Sequence, residues 1–356
     1  MRKTERQTVS IITLTPNPAL DVSGIVKALT PNEKNPVFSE RRDPGGNGIN
    51  AARIAHRLGA KVLALGFAGG AVGQELLTLI RKEGVPARFV KISGNTRINV
   101  TVTHEVTHQQ TRLSFSGPEV TRSEWEALLH RIERLPRKAL LLLGGSLPPG
   151  VPRNFHTRLA LLAQKRGIGV VLDVPPQTLS ETLKSRSPNF RPLLVKPNES
   201  ELARWWSQER ILQFDSETQR REAGIALARR CELVCVSRGA KGLMFIHGKE
   251  IWYLQAPKVQ AKGTVGAGDS LLGAISAALA QAGLYSNEQV HKVFREVPEG
   301  DLPASIKKAL LLGLAAGAAT ASEVGTSLAQ PAQIKRLLAA AERLNSNSAQ
   351  LKERDR

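Results

Sequence analysis

Short apolar runs recur along this chain, and each is followed by about 10–15 residues with helical spacing. Val9–Leu14, Lys61–Phe67, Ala139–Leu143, Val170–Asp173, Leu193–Val195 and Leu233–Ser237 read as buried strands. Ile49–Leu58, Gly73–Glu83 and Arg153–Arg166 read as helices, the last two closed by Gly84 and Gly167. A strand that is apolar at every position has no face left for water. It must lie inside a parallel sheet with helices on both sides. The expected fold class is therefore α/β, a three-layer sandwich around a mostly parallel sheet.

One stretch breaks this rhythm. In Arg97–Phe115, Ile98, Val100 and Val102 alternate with Asn99, Thr101 and Thr103. That period of two predicts a half-exposed antiparallel strand pair. Short β-like pieces between prolines also occur within 20–42. The two regions, about 20–42 and 96–117, are expected to form a small β-sheet standing off the main domain as a lid. No long low-complexity linker divides the chain. The reading is one domain over 1–342, followed by a polar tail over 343–356 that frays.

The formal net charge is +19, which suits anionic partners. The basic residues are scattered, as in Arg41–Arg42, Arg220–Arg221 and Arg229–Arg230, and aromatic residues make up only 4%. Stacking platforms for single-stranded nucleic acid are thus scarce, and nucleic acid is not an expected partner. The only cysteines, Cys231 and Cys235, lack the spacing of a redox or zinc pair, and read as small buried apolar residues. No apolar run nears the ~20 residues that span a bilayer. The charged start, MRKTERQTVS, is unlike a secretory signal, so the expected location is cytoplasmic.

Four motifs carry candidate chemistry. In GTVGAGDS, Gly263–Ser270, the glycines open a helix whose first amides converge on one point. The helix dipole favours an anion there, and Asp269 stands beside it as a candidate base. The competing reading is that Asp269 merely caps the helix. PGGNGIN, Pro44–Asn50, places three glycines before a helix, with Asn47 and Asn50 able to bind sugar hydroxyls; it is not a Walker P-loop. In VKPNESEL, Val195–Leu202, Asn198 and Glu201 stand three apart, as suits either a Mg²⁺–water shell or a capping box. VSRGAKG, Val236–Gly242, is a turn at the carboxyl end of a strand, where nucleotides bind in open α/β sheets.

Together these motifs resemble the PfkB, or ribokinase-like, carbohydrate kinase family over roughly residues 9–340. TPNPALD, AGGAVGQEL, GGSLPPG, KPNESEL and VGAGDS are similar to its sugar-phosphate branch, which phosphorylates fructose 6-phosphate, fructose 1-phosphate or tagatose 6-phosphate. The resemblance implies ATP, Mg²⁺ and a further candidate monovalent cation, and a homodimer joined through the lid. It implies Asp269 as base, with Gly266, Ala267 and Gly268 as the anion hole. It implies Asp21, Lys34, Gly46, Asn50, Arg97 and Ser146 on the sugar phosphate. Lys196, Asn198, Ser237, Gly239, Gly242 and Thr264 are implied at the nucleotide, with Asn198 and Glu201 holding Mg²⁺ through water. The expected reaction is phosphorylation of fructose 6-phosphate to the 1,6-bisphosphate. A non-catalytic basic ligand- or nucleic-acid-binding protein on the same scaffold is the reading from another class.

Four positions depart from the family pattern. Asn47 replaces a common lysine. Lys34-Asn35-Pro36 lacks an arginine usual in this branch, for which Arg41 or Arg42 is the candidate substitute. Val174-Pro175-Pro176 follows Asp173, and Arg238 stands where an apolar residue is commoner.

Overall fold

The computed structural model describes residues 9–184, 190–208, 210, 211 and 213–346. In chain order its elements begin β1 (Ile11–Thr15), β2 (Ala19–Val26), β3 (Phe38–Gly45), α1 (Asn47–Arg57), β4 (Val62–Ala68), α2 (Gly70–Lys82), β5 (Ala87–Lys91), β6 (Arg97–His104), β7 (Gln110–Leu113) and α3 (Arg122–Ile132). They continue with β8 (Leu140–Gly144), α4 (Phe155–Lys165), β9 (Gly169–Asp173), α5 (Pro176–Leu183), β10 (Leu194–Val195), α6 (Glu199–Ser207), α7 (Glu217–Ala228) and β11 (Leu233–Ser237). A 3-10 turn, Gly239–Lys241, leads to β12 (Leu243–His247), β13 (Glu250–Leu254), α8 (Ala267–Gln281), α9 (Asn287–Arg295), α10 (Ala304–Ala321) and α11 (Pro331–Leu344).

The main sheet has nine strands in the order β13-β12-β11-β10-β9-β8-β1-β4-β5. Every pair from β11 to β5 is parallel, and only β12 and β13 turn back antiparallel. Consecutive strand residues point to opposite faces, so each strand feeds two cores. Ile11, Leu140 and Leu142 join one cluster with α1, α8 and α10. Ile12, Leu141 and Leu143 join the other with α3, α4 and α7. The continuous apolar runs thus become a double-sided sheet, as their pattern predicts. Cys231 and Cys235 are both buried. Among the described helices only α10 is long and apolar enough to cross a membrane, and most of its residues are buried within the protein.

The second sheet has the order β3-β2-β6-β7. Its outer pairs are antiparallel, but β2 and β6 at its centre run parallel. The alternation in β6 also runs opposite to the usual polar-out rule. Thr101 and Thr103 are buried, whereas Ile98, Val100 and Val102 keep part of their surface exposed. β3 extends to Gly45, beyond the limit of 42 read from the sequence, and delivers its last residues into the PGGNGIN turn.

The polar tail begins later than Arg343. Arg343 and Leu344 belong to α11, and Asn345 is buried. Asn345 Oδ1 accepts from Gln255 N at 2.9 Å, and its amide donates to Gln255 O at 3.1 Å. A side chain that replaces a strand partner in this way holds the helix end down. The rest of the expected tail, 347–356, lies outside the described residues.

Candidate active site

The carboxyl ends of the parallel strands, the start of α8 and the inner face of the small sheet meet in one crevice. Gly266 precedes α8 with φ 76°, a left-handed conformation that glycine adopts without a steric penalty. This turn opens the helix so that the amides of its first residues lack helical partners. Asp269 lies in that first turn. Its Oδ2 accepts a hydrogen bond from Asn50 Nδ2 at 2.8 Å, so α1 aims the carboxylate of α8. Asp269 keeps an edge open to the crevice, yet burial is the chief cause that pushes its pKa up to about 6. The negative charge of Asp173 raises it further, while Asn50 and Lys196 pull the other way.

Lys196, at the end of β10, is almost fully buried and pairs with Asp173 Oδ1 at 3.1 Å. Burial opposes its charge, but Asp173 and Glu201 outweigh burial and raise its pKa. A Cβ added at Gly268 would stand 3.5 Å from Lys196 Nζ, so the ammonium faces the start of α8. Asp173 also accepts from Asn47 Nδ2 at 3.2 Å. Asn47 and Asn50, candidates from the sequence for sugar hydroxyls, each hold a carboxylate of the protein.

Asn198 and Glu201 form the capping box of α6. Asn198 Oδ1 accepts from Glu201 N, and Glu201 Oε2 accepts from Asn198 N, both at 2.8 Å. Of the two readings of this motif, the cap is what the structure contains. The other Glu201 oxygen, Oε1, has no hydrogen-bond partner among the described residues and is a hard ligand suited to Mg²⁺ or its water. Burial raises the Glu201 pKa, with Lys196 opposing. A parallel bridge joins Asn198 to Ser237, which sets the VKPNESEL and VSRGAKG turns side by side. Gly239 opens the 3-10 turn after Ser237, and a Cβ at Gly242 would meet Leu254 O at 1.9 Å. Thr264 is exposed in the loop before α8. Arg238 is turned to Glu199 and Glu217, each at 3.0 Å, and lies over the Tyr253 ring.

On the opposite wall stands the polar face of the small sheet. Asp21 on β2 accepts from Asn99 Nδ2 at 2.9 Å. Burial raises its pKa, offset by that bond and by the charges of Arg112 and Arg97. A Cβ at Gly45 would stand 2.1 Å from Asp21 Oδ2, so this glycine makes room for the aspartate. Gly46 is the residue before α1. Arg97 donates to Phe115 O at 2.5 Å and Asn17 O at 2.8 Å. Asn17 in turn donates to Ser146 Oγ at 3.3 Å. Arg97 Nε, Asn17 Oδ1 and Asn99 Oδ1 are buried without a partner among the described residues. Buried polar atoms in proteins are rarely left so, and three in one crevice are suited to a polar ligand.

The cations expected near Lys34 are placed otherwise. Lys34 is exposed between β2 and β3 and has no side-chain partner among the described residues. Arg41 pairs with Asp43, which stands cross-strand from Asp21, and Arg42 pairs with Glu40 and Glu75, so both are engaged by carboxylates of the protein. Arg112 on β7 acts on Asp21 instead. It stands opposite Thr101 in the register, and sequence reading passed over it. Arg53 was also missed. This arginine is 1% exposed, pairs with Glu83, and donates to Pro44 O and Asn50 Oδ1. It ties α2, the end of β3 and the asparagine that holds Asp269. The only signal in the sequence is an arginine on the apolar stripe of α1.

Comparison with known proteins identifies the family and the fold. The family model described as pfkB family carbohydrate kinase matches residues 15–333. The ATP-dependent 6-phosphofructokinase isozyme 2 of Escherichia coli is 32% identical over 320 residues, covering 90% of this chain and 95% of that protein. Crystal structures of the Escherichia coli phosphofructokinase-2, with substrates and products and with potassium, superpose with TM-scores of 0.82 and 0.80 at 30% identity. Each match covers 94% of this chain and 100% of the other. A ribokinase from Thermotoga maritima shares the fold at a TM-score of 0.67 and 19% identity, over 93% of this chain and 99% of its own.

Proposed function

Because the chain belongs to the pfkB family of carbohydrate kinases, we propose that this sugar-phosphate kinase phosphorylates a ketohexose monophosphate, with fructose 6-phosphate as the first choice. One observation carries the reading. Asp269 stands in the first turn of α8, aimed by Asn50, beside the amides that open the helix and facing a buried lysine.

In this mechanism Asp269 accepts the proton of the attacking hydroxyl as that oxygen bonds to the terminal phosphorus of ATP. The bond from that phosphorus to the bridging oxygen breaks, and ADP leaves. Charge gathers on the phosphoryl oxygens, where the α8 amides and Lys196 stabilise it. Asp21 and Asn99 orient the sugar hydroxyls, which supplies the positioning term. Arg97 and Arg112 give the acceptor end positive charge, as suits a phosphorylated sugar, and Arg112 replaces the arginine missing near Lys34. The turns at Asn198 and Ser237–Gly242 are the nucleotide side. Mg²⁺, when bound, neutralises the ATP phosphates, and the free Glu201 oxygen is the group fitted to hold it or its water. The potassium complex of the Escherichia coli relative supports a monovalent cation as a further cofactor.

The small sheet acts as a lid and as the dimer contact. Its outer face sets Val37 and Leu113, 52% and 55% exposed, beside Val22, Val100 and Val102. An apolar sheet face left open to water suits burial against a second copy. ATP and sugar phosphates are cytoplasmic metabolites, which supports that location.

A substrate panel tests the proposal. ADP release is followed with Mg²⁺-ATP and fructose 6-phosphate, fructose 1-phosphate, tagatose 6-phosphate or fructose. Fructose 6-phosphate gives the highest kcat/KM, and fructose falls about 10²-fold or more below it. Equal rates on fructose and its phosphate would overturn the phosphate-binding part of the reading.

A further inference from the structure

A second cluster lies at the other end of the main sheet. Ser237 and Leu243 face each other at the nucleotide end of the β11–β12 hairpin, whereas Leu233 pairs with His247 at the far end. Four strand residues separate the two ends, roughly 13 Å. Glu232, just before β11, is fully buried. Its Oε1 is met by His247 Nε2 at 3.0 Å and by His291 Nδ1, from α9, at 3.2 Å. The three atoms all lie within 4.8 Å of one another.

We propose that Glu232, His247 and His291 bind a divalent transition ion of the zinc class. Bonds of about 2.0–2.2 Å to imidazole nitrogen and carboxylate oxygen place tetrahedral ligand atoms roughly 3.3 Å apart. The two contacts to Glu232 already have nearly that spacing. The donor set, two imidazoles and one carboxylate, suits zinc better than magnesium. His291 is 49% exposed, which opens a path for the ion and leaves a fourth position to water.

The surroundings hold these ligands in place. Arg191 Nε donates to Glu232 Oε2 at 3.0 Å, leaving Oε1 to the imidazoles, and its other nitrogens are tied to Arg229 O and Ala228 O. The His247 ring is stacked 3.8 Å from that of Phe294. Phe294 and His291 are three apart on α9 and so share one face. Outer contacts of this kind orient metal ligands and raise affinity. The ligands come from two strand ends and a helix, so no sequence motif announces the site.

The test uses tag-free, nucleotide-free protein stripped with a chelator. Zn²⁺ uptake is measured by equilibrium dialysis, and Co²⁺ is added as a spectroscopic probe. Wild type takes up one Zn²⁺ per chain, gains thermal stability on doing so, and gives visible d–d bands with Co²⁺. His291→Ala, at a half-exposed helix position, folds and loses affinity by more than about tenfold. Glu232→Gln does the same, whereas Asp269→Asn retains uptake. Failure of wild type to bind Zn²⁺ would overturn the proposal. So would uptake that survives in both His291→Ala and Glu232→Gln, because the ion would then sit elsewhere. Neither result touches the kinase reading, which is assayed separately with sugar phosphate.

Discussion

Replacing Asp269 by asparagine should make the folded protein more stable while removing its base. Burial and the charge of Asp173 raise this carboxyl from 3.8 to about 6. The difference is equivalent to about 3 kcal/mol against the ionised form. Screening at the open edge of the crevice reduces that to about 1–2 kcal/mol. The sign follows from proton binding. Between 3.8 and about 6 the unfolded chain has lost its proton while the folded chain keeps it. Stability therefore falls as pH rises across that interval, and the penalty is complete above it. Asparagine carries no charge, and its amide oxygen still accepts from Asn50. The variant should exceed wild type by about 1–2 kcal/mol at about pH 7.5, and the gap should shrink toward zero near pH 4. Urea melts at both pH values measure this, and at about 2 °C per kcal/mol thermal melts should rise by a few degrees. A variant less stable than wild type at neutral pH, or a gap independent of pH, would refute the assignment of a strained, buried carboxylate.

Other consequences follow from the same geometry. kcat/KM should decline as pH falls through about 6, where Asp269 takes up its proton, while a limb displaced to the ordinary carboxylate range would contradict the raised value. Gly45→Ala should raise KM for the sugar phosphate about tenfold or more and leave KM for ATP nearly unchanged, because the new methyl meets the Asp21 carboxylate; parallel change in both constants would speak against it. Arg53→Met removes a buried cation from Glu83 and Asp43, which keep Arg57 and Arg41, and leaves Pro44 O and Asn50 Oδ1 without their donor, so it should destabilise by about 1–3 kcal/mol. A loss below about 1 kcal/mol in urea melts would remove Arg53 from that role.

What could be read from the sequence was periodicity and local chemistry. The apolar strands needed no partner list, because continuous burial dictates a two-sided parallel sheet. Asp269 was legible because helix start, glycines and carboxylate lie within a few residues. The inner polar face of β6 was not. Alternation reports that two faces differ, and it does not say which one meets water. Arg53 was hidden for a related reason: an arginine on an apolar helix stripe looks like a surface residue until Glu83 and Asp43 converge on it. Arg41 or Arg42 was the candidate substitute for the missing arginine, and both are engaged by carboxylates: Asp43 and Glu40 lie two residues away on the same strand, and only Glu75 could not be placed from sequence. Asn345 looked like part of a polar tail, yet its side chain substitutes for a strand neighbour of Gln255.

The most direct test is steady-state turnover of wild type and Asp269→Asn with saturating Mg²⁺-ATP and the preferred sugar phosphate. The account predicts a fall in kcat of about 10²–10⁴-fold with KM nearly constant, in a variant whose melts show it folded. A kcat within about tenfold of wild type would contradict Asp269 as the base.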